Sequence, residues 1–236
     1  MARTRGVIFD FYGTLVRMVA PLPPSHASVF DRRGLGAQGA LWGDQWSVGP
    51  ADGEEHTAES VSEQAYHTWE LSRLRTRAEG CGVPADQLDG LAADLDAATK
   101  AMRLEAYGDV RDTLADLRRR GLTVALCSNW FWDLEGAVAA VGLSDLVDVA
   151  VTSAQAGVRK PHPLIFRTAL EGCGLRAEEA LFVGDAWGPD VEGPLAVGMR
   201  AAHLCRPDAA VDFGQAPPLL DGAVRISSLS AVADLL

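Results

Sequence analysis

Four short stretches of the chain carry the residue types that chemistry needs, and three of them end an apolar run. In Val7-Ile8-Phe9-Asp10-Phe11-Tyr12-Gly13-Thr14 the run stops on a carboxylate, and the glycine after it lets the backbone turn away. A carboxylate in that place serves as a nucleophile, a metal ligand or both. Locally, Asp10 equally fits a turn cap and Thr14 a helix cap. Ser128-Asn129 closes the apolar run Leu122 to Cys127, where a hydroxyl, an amide and backbone N–H groups would hold an anionic oxygen. Lys160 stands in Arg159-Lys160-Pro161-His162-Pro163; the chain's only other lysine is Lys100, and Asn129 is its single asparagine. The last stretch, Gly184-Asp185-Ala186-Trp187-Gly188-Pro189-Asp190, puts two carboxylates after the run Ala180 to Val183.

The elements that must position these residues form a regular alternation from Tyr107 onward. Helices are expected at 110–120, 134–141, 163–171 and 191–197, and strands at 122–127, 147–152, 180–183 and 200–204, with a last strand at 224–226 and helix at 229–236. Strands separated by helices of this length make parallel β-α-β units, and ligands bind beyond the carboxyl ends of such strands. The expected fold is α/β, a Rossmann-like parallel sheet, with Asp10, Ser128-Asn129 and Asp185 converging on one edge. Three carboxylates that close need a cation to stay ionised, and hard oxygen ligands suit Mg²⁺.

The alternation is interrupted. Residues 17–104 read as a largely helical insertion, with core segments 1–16 and 105–236 on either side. Pro21-Leu22-Pro23-Pro24 marks an extended exit, and Gly34 to Gly53 reads as a glycine-rich loop. Val61, Ala65, Trp69 and Leu74 make one helical face ending near Gly80, and Pro84 opens a second helix with Leu88, Leu91, Leu95 and Ala98 in a stripe. Pro207 to Pro218 reads as a surface loop.

Composition bounds the partners. A formal charge of -11 repels nucleic acid and anionic membrane, so an anionic small substrate needs local positive charge or a metal. No apolar stretch has the length of a membrane span and no signal-peptide pattern opens the chain, so a cytoplasmic monomer or homodimer is expected. Cys81, Cys127, Cys173 and Cys205 are too scattered for a zinc site or a disulfide framework.

The four stretches, in this order and spacing, resemble the haloacid dehalogenase superfamily, whose members with a helical cap of the first type carry it after the first motif. The resemblance implies Asp10 as nucleophile, with Thr14 and Ser128 bonding the transferring group and Asn129 helping through its backbone N–H. It implies Lys160 as the neutralising cation, and Mg²⁺ held by Asp10, the Tyr12 carbonyl and Asp185, with Asp190 ligating directly or orienting a bound water. Trp130 and Trp187 fall in the site loops and are expected to bind substrate; with Trp132, and Trp42, Trp46 and Trp69 of the insertion, they would make an aromatic wall or simply pack.

One position departs from the pattern. Phosphatases of the superfamily usually carry a second aspartate two residues after the nucleophile, as general acid and base, and here that residue is Tyr12. A phenol donates a proton but is a poor base at neutral pH. Tyrosine there also resembles the L-2-haloacid dehalogenases, whose halide needs no proton, with Arg32 or Arg33 as candidates to grip a haloacid carboxylate. Asp185 and Asp190 have no evident task in dehalogenation, so the expected activity is a Mg²⁺-dependent phosphatase for a small phosphorylated metabolite. A dehalogenase is the first alternative and a non-catalytic relative the second. His56 and His67 are candidates to replace the missing acid, and His162 is expected to be structural.

Overall fold

The computed structural model describes residues 3–43, 50–207 and 217–236. In chain order its elements begin with β1 (Gly6–Phe9), β2 (Val16–Met18), α1 (His26–Arg32), α2 (Gly36–Trp42), α3 (Glu63–Gly80) and α4 (Leu88–Lys100). Next come β3 (Leu104–Ala106), α5 (Val110–Arg119), β4 (Thr123–Ser128), α6 (Leu134–Ala140), β5 (Val149–Thr152), α7 (Ser153–Ala156) and α8 (Pro163–Cys173). The chain continues through β6 (Ala180–Gly184), α9 (Gly193–Ala196), β7 (Arg200–Leu204) and β8 (Ala223–Ile226) to a 3-10 segment at Leu229–Leu235. Trp46, part of the Gly34 to Gly53 loop and most of the Pro207 to Pro218 loop lie outside the described residues.

Six strands pair in parallel in the order β5-β4-β1-β6-β7-β8, the expected α/β sheet. β1 is central because its residues are apolar on both faces, and successive side chains point to opposite faces. Val7 and Phe9 enter one core with Val124, Leu126, Leu181 and Val183. Ile8 enters the other with Ala125, Cys127 and Phe182. From β1 the chain goes to β4 on one side and later returns to β6 on the other, so the strand order reverses at β1. That reversal opens a crevice beyond the carboxyl end of β1.

The described chain divides into two compact units, one of Met1–Arg17, Ala51–Ala58 and Leu104–Leu236, the other of Met18–Pro50 and Glu59–Arg103. The expected boundary at 17–104 is therefore corrected in its middle, where 51–58 belongs with the sheet. Those residues bridge to the loop before α8: Glu55 pairs antiparallel with Val158, and His56 N–H donates to Gly157 O at 2.7 Å. Hydropathy could not reveal this, since the anchors are backbone groups.

Other departures are local. The Gly34 to Gly53 stretch contains α2. The helical face assigned to Val61 starts later, because Ser62 caps α3 by accepting from Ala65 N–H, which leaves Val61 outside the helix and exposed. The stretch Pro84 to Gln87 closes as a turn, with Gln87 N–H on Pro84 O at 2.9 Å, so α4 begins at Leu88. The helix expected at 191–197 is a π-helical turn, Gly188–Glu192, running into α9. β2 and β3, not foreseen, pair as a small separate sheet.

The second unit has its own core, in which Leu74 of α3 and Leu88, Leu91 and Leu95 of α4 pack with Val29, Phe30 and Trp42. A polar relay crosses it. Trp42 Nε1 donates to His26 Nδ1 at 3.1 Å, His26 Nε2 lies 2.8 Å from Thr99 Oγ1, and Thr99 donates to Leu95 O at 2.9 Å. This chain of donors fixes His26 as the neutral tautomer protonated on Nε2. Trp42→Ala should destabilise this unit by about 3–5 kcal/mol, since it deletes a buried indole and strands a buried imidazole nitrogen. Urea unfolding should show the loss, and a variant within about 0.5 kcal/mol of the parent would remove Trp42 from the core's anchors.

Candidate active site

Asp10 extends β1 by one residue, its N–H donating to Val183 O at 2.9 Å, so its carboxylate emerges at the strand-order reversal. One oxygen, Oδ1, accepts from Ser128 Oγ at 2.9 Å and from Lys160 Nζ at 2.6 Å, which fixes the carboxylate's rotation. Lys160 is buried and also donates to Asp190 Oδ1 at 2.6 Å. Asp190 Oδ2 accepts from Ala186 N–H at 2.9 Å, folding the wide turn back on itself. Gly184 makes this possible, since a Cβ there would stand 2.4 Å from the Asp190 carboxyl.

Asp185 accepts from Thr14 Oγ1 at 2.8 Å. Gly13 has φ +88, and a Cβ on it would meet Asp185 Oδ2 at 2.3 Å, so glycine is required for both backbone and space. Ligand atoms of Asp10, Asp185 and Asp190 all lie within 4.8 Å of one another.

The charges of this cluster do not balance. Burial alone would pull the Lys160 ammonium down, but the charges of Asp10 and Asp190 outweigh it and hold the group protonated. Burial, then the charge of Asp10, pushes the Asp185 carboxyl up to about 7, and burial also pushes Asp190 upward. One ammonium cannot neutralise three carboxylates at this separation. A donor set of carboxylate oxygens with surplus negative charge fits a hard divalent cation such as Mg²⁺, with Asp10 and Asp185 placed to hold it. Asp190 is tied on both oxygens, and its direct task is to hold Lys160 and the 186–190 turn.

The other acidic cluster, His67, Glu70 and Asp96 of the second unit, already contains its cation. Lys100 Nζ lies 2.7 Å from Asp96 and 3.0 Å from Glu70.

Around Asp10 opens a cleft of about 310 Å³ within the first unit, lined also by Tyr12, Ser128, Asn129 and Lys160. Asn129 acts through its side chain, where the backbone N–H was expected: Oδ1 accepts from Lys160 N–H at 2.7 Å and Nδ2 donates to Lys160 O at 3.1 Å. Thr14 is buried and held to Asp185, so its hydroxyl braces a carboxylate instead of facing the cleft. Tyr12 is half-buried, and burial followed by the Asp185 charge raises its phenol further, which removes it as a base at neutral pH.

The expected aromatic wall is not assembled in this cleft. Trp130 packs edge-on against Phe11 at 5.3 Å; Trp187 packs on His203 at 5.2 Å and donates to Glu192 at 3.1 Å. Neither lines the cleft. Trp42 is in the second unit's core and Trp69 lies beside Tyr66. His56 is buried and does not line the cleft, and His67, in the second unit, faces Glu70 and Asp96. His162 pairs with Glu55 at 2.9 Å, a structural contact, and Arg33 pairs with Asp94 at 2.7 Å while Arg32 donates to Ser28.

Three lining residues were not singled out from the sequence: Arg17, Asp52 and Tyr107. Arg17 follows the first motif on β2, and only that strand's pairing aims it. A further brace also escaped notice: Arg206 donates to Thr14 O at 2.9 Å and pairs with Asp109 at 2.9 Å, clamping the loop after Asp10.

A raised carboxyl means that the folded chain holds protons more tightly than the unfolded one. The contribution of Asp185 to stability is therefore greatest below its ordinary value of 3.8 and falls as pH rises toward about 7. With chelator present, Asp185→Asn should gain Tm relative to the parent across that interval, by roughly 2–4 °C per kcal/mol of relieved repulsion. A Tm difference that does not change with pH would show that the carboxylates do not repel.

Residues 4–198 match the family of haloacid dehalogenase-like hydrolases. A phosphoserine phosphatase of Thermus thermophilus is 36% identical over 124 residues, 52% of this chain and 50% of that protein, so the chain spans about half the length of that relative. An (S)-2-haloacid dehalogenase of Pseudomonas sp. strain YL is 28% identical over 244 residues, 98% of this chain and 94% of that one. The crystal structure of a predicted phosphoglycolate phosphatase from Haemophilus somnus shares the fold, with a TM-score of 0.68 at 20% identity over 100% of this chain and 99% of that one. The family match runs from the start of β1 through the turn that carries Asp190, and the chain belongs to the haloacid dehalogenase-like hydrolase family.

Proposed function

We propose that this chain is a Mg²⁺-dependent phosphohydrolase that acts on a small phosphorylated metabolite through an aspartyl-phosphate on Asp10. The observation that carries this reading is the trio Asp10, Asp185 and Asp190 with Lys160 as the cation among them, a charge imbalance that a divalent ion would offset. Bound Mg²⁺ would offset the charge of substrate and carboxylates together. Asp10 and Asp185 would hold it, joined by the Tyr12 carbonyl.

The chain's own groups then do the following. Lys160 and Ser128 hold Asp10 by one oxygen and orient it to attack phosphorus. Lys160 also supplies positive charge to the phosphoryl oxygens as charge develops on them. Asn129 holds the Lys160 backbone on both sides, so the ammonium stays in register with the nucleophile. Thr14 holds Asp185, and Asp190 holds Lys160. The cleft of about 310 Å³ is small, which matches a small substrate. The second unit is read as the helical cap that bears specificity. Among the described residues no helix is long and apolar enough to cross a membrane.

Tyr12 favours a second reading, an L-2-haloacid dehalogenase, and a relative of that name aligns over 98% of the chain. Asp190 would hold Lys160 in either reading, but Asp185 is unexplained in this one. The two readings give opposite results. Turnover of p-nitrophenyl phosphate that needs Mg²⁺, stops with EDTA and is lost in Asp10→Asn is expected. Chloride release from L-2-chloropropionate, indifferent to EDTA, with no phosphate turnover would replace the phosphatase reading by the dehalogenase.

A further inference from the structure

A phosphatase with tyrosine two residues past its nucleophile lacks a carboxylate to give the leaving group its proton and to take one from water. The cleft holds a fourth carboxylate that belongs to neither the metal trio nor any motif, Asp52. It comes from Ala51–Ala58, the segment of the insertion that folds with the sheet.

That segment is anchored, residue by residue, to the loop that carries Lys160. Gly53 N–H donates to Lys160 O at 3.2 Å, Arg159 N–H to Glu54 O at 3.1 Å and His56 N–H to Gly157 O at 2.7 Å. Glu55 adds its ion pair with His162, and Ala51 N–H is bound by the Glu54 carboxylate at 2.7 Å. The anchoring is tight on both sides of Asp52, yet its own carboxylate is lightly held. Oδ1 is 3.4 Å from Asn129 Nδ2 and 3.9 Å from Arg159 Nη2, and the side chain is 58% exposed toward the cleft and solvent. Asn129, the same residue that clasps Lys160, thus sets Asp52 in register with Lys160 and through it with Asp10.

We propose that Asp52 is the general acid and base of this enzyme, supplied from the insertion in place of the carboxylate absent at Tyr12; this rests on the phosphatase reading. In the first half-reaction Asp10 bonds to phosphorus, the bond from phosphorus to the leaving oxygen breaks, and the proton of Asp52 goes to that oxygen, releasing the alcohol. In the second, Asp52 takes a proton from water as the water oxygen bonds to phosphorus. The Asp10–phosphorus bond then breaks, phosphate leaves, and Asp52 is protonated again. The sum is hydrolysis of one phosphomonoester by one water.

The two halves are separable with p-nitrophenyl phosphate and Mg²⁺ in rapid quench, because nitrophenolate leaves without a proton. Asp52→Asn should keep a burst of one nitrophenolate per enzyme and then turn over slowly, the steady rate falling by about 10²- to 10⁴-fold, with phosphate retained on the protein. Asp52→Glu should recover part of the steady rate. An Asn variant that turns over like the parent overturns the proposal. So does one whose burst rate and steady rate fall together, the mark of a residue that only positions Asn129 and Lys160. A parent enzyme with neither burst nor turnover defeats the phosphatase reading itself.

Discussion

The site depends on one buried ammonium shared between two carboxylates. Lys160 reaches Asp10 and Asp190 at the same distance, 2.6 Å, and is almost wholly shielded from water. A charge so placed is tolerable only when paired, and breaking such a pair costs far more than replacing it whole. The structure accordingly commits much of its backbone to keeping the pair aligned. The strand end presents Asp10, the wide turn folds Asp190 back, and Asn129 binds the lysine's own peptide groups from both sides. Asp185 is the carboxylate left over, and its surplus charge is what a bound cation would offset.

The two lysines of the chain form an instructive pair. Each binds two carboxylates, but Lys100 is partly exposed on a helix surface, where such pairs contribute little to stability. Lys160 is enclosed, so its charge acts on Asp10 and Asp190 in a low-dielectric setting. Residue type and rarity were the same for both; burial separates their roles.

The insertion contributes differently from what its hydropathy conveys. Most of it folds around its own core of Leu91, Leu95 and Trp42. Eight of its residues, Ala51–Ala58, depart from that core and join the sheet unit through backbone hydrogen bonds to the 157–160 loop. A chain that delivers one acidic side chain into a cleft by a backbone bridge can vary that side chain without disturbing either core.

By itself the sequence determined the sheet and the stations on it. Apolar runs such as Val7 to Phe9 are long enough only for strands covered on both faces, and a polar residue that ends one must emerge at the edge, so Asp10, Ser128, Asn129 and Asp185 were legible from pattern alone. The stripe of Leu88, Leu91, Leu95 and Ala98 was legible for the same reason, as helical period reports a buried face. What the sequence could not convey was which oxygen meets which hydrogen. Thr14 turned to Asp185, and Trp130 and Trp187 packed away from the cleft. Asp52, Arg17 and Tyr107 entered the cleft from segments with no chemical signature. Those outcomes depend on backbone pairing between stretches far apart in the chain, which leaves no periodicity to read, and only the tertiary structure decided them.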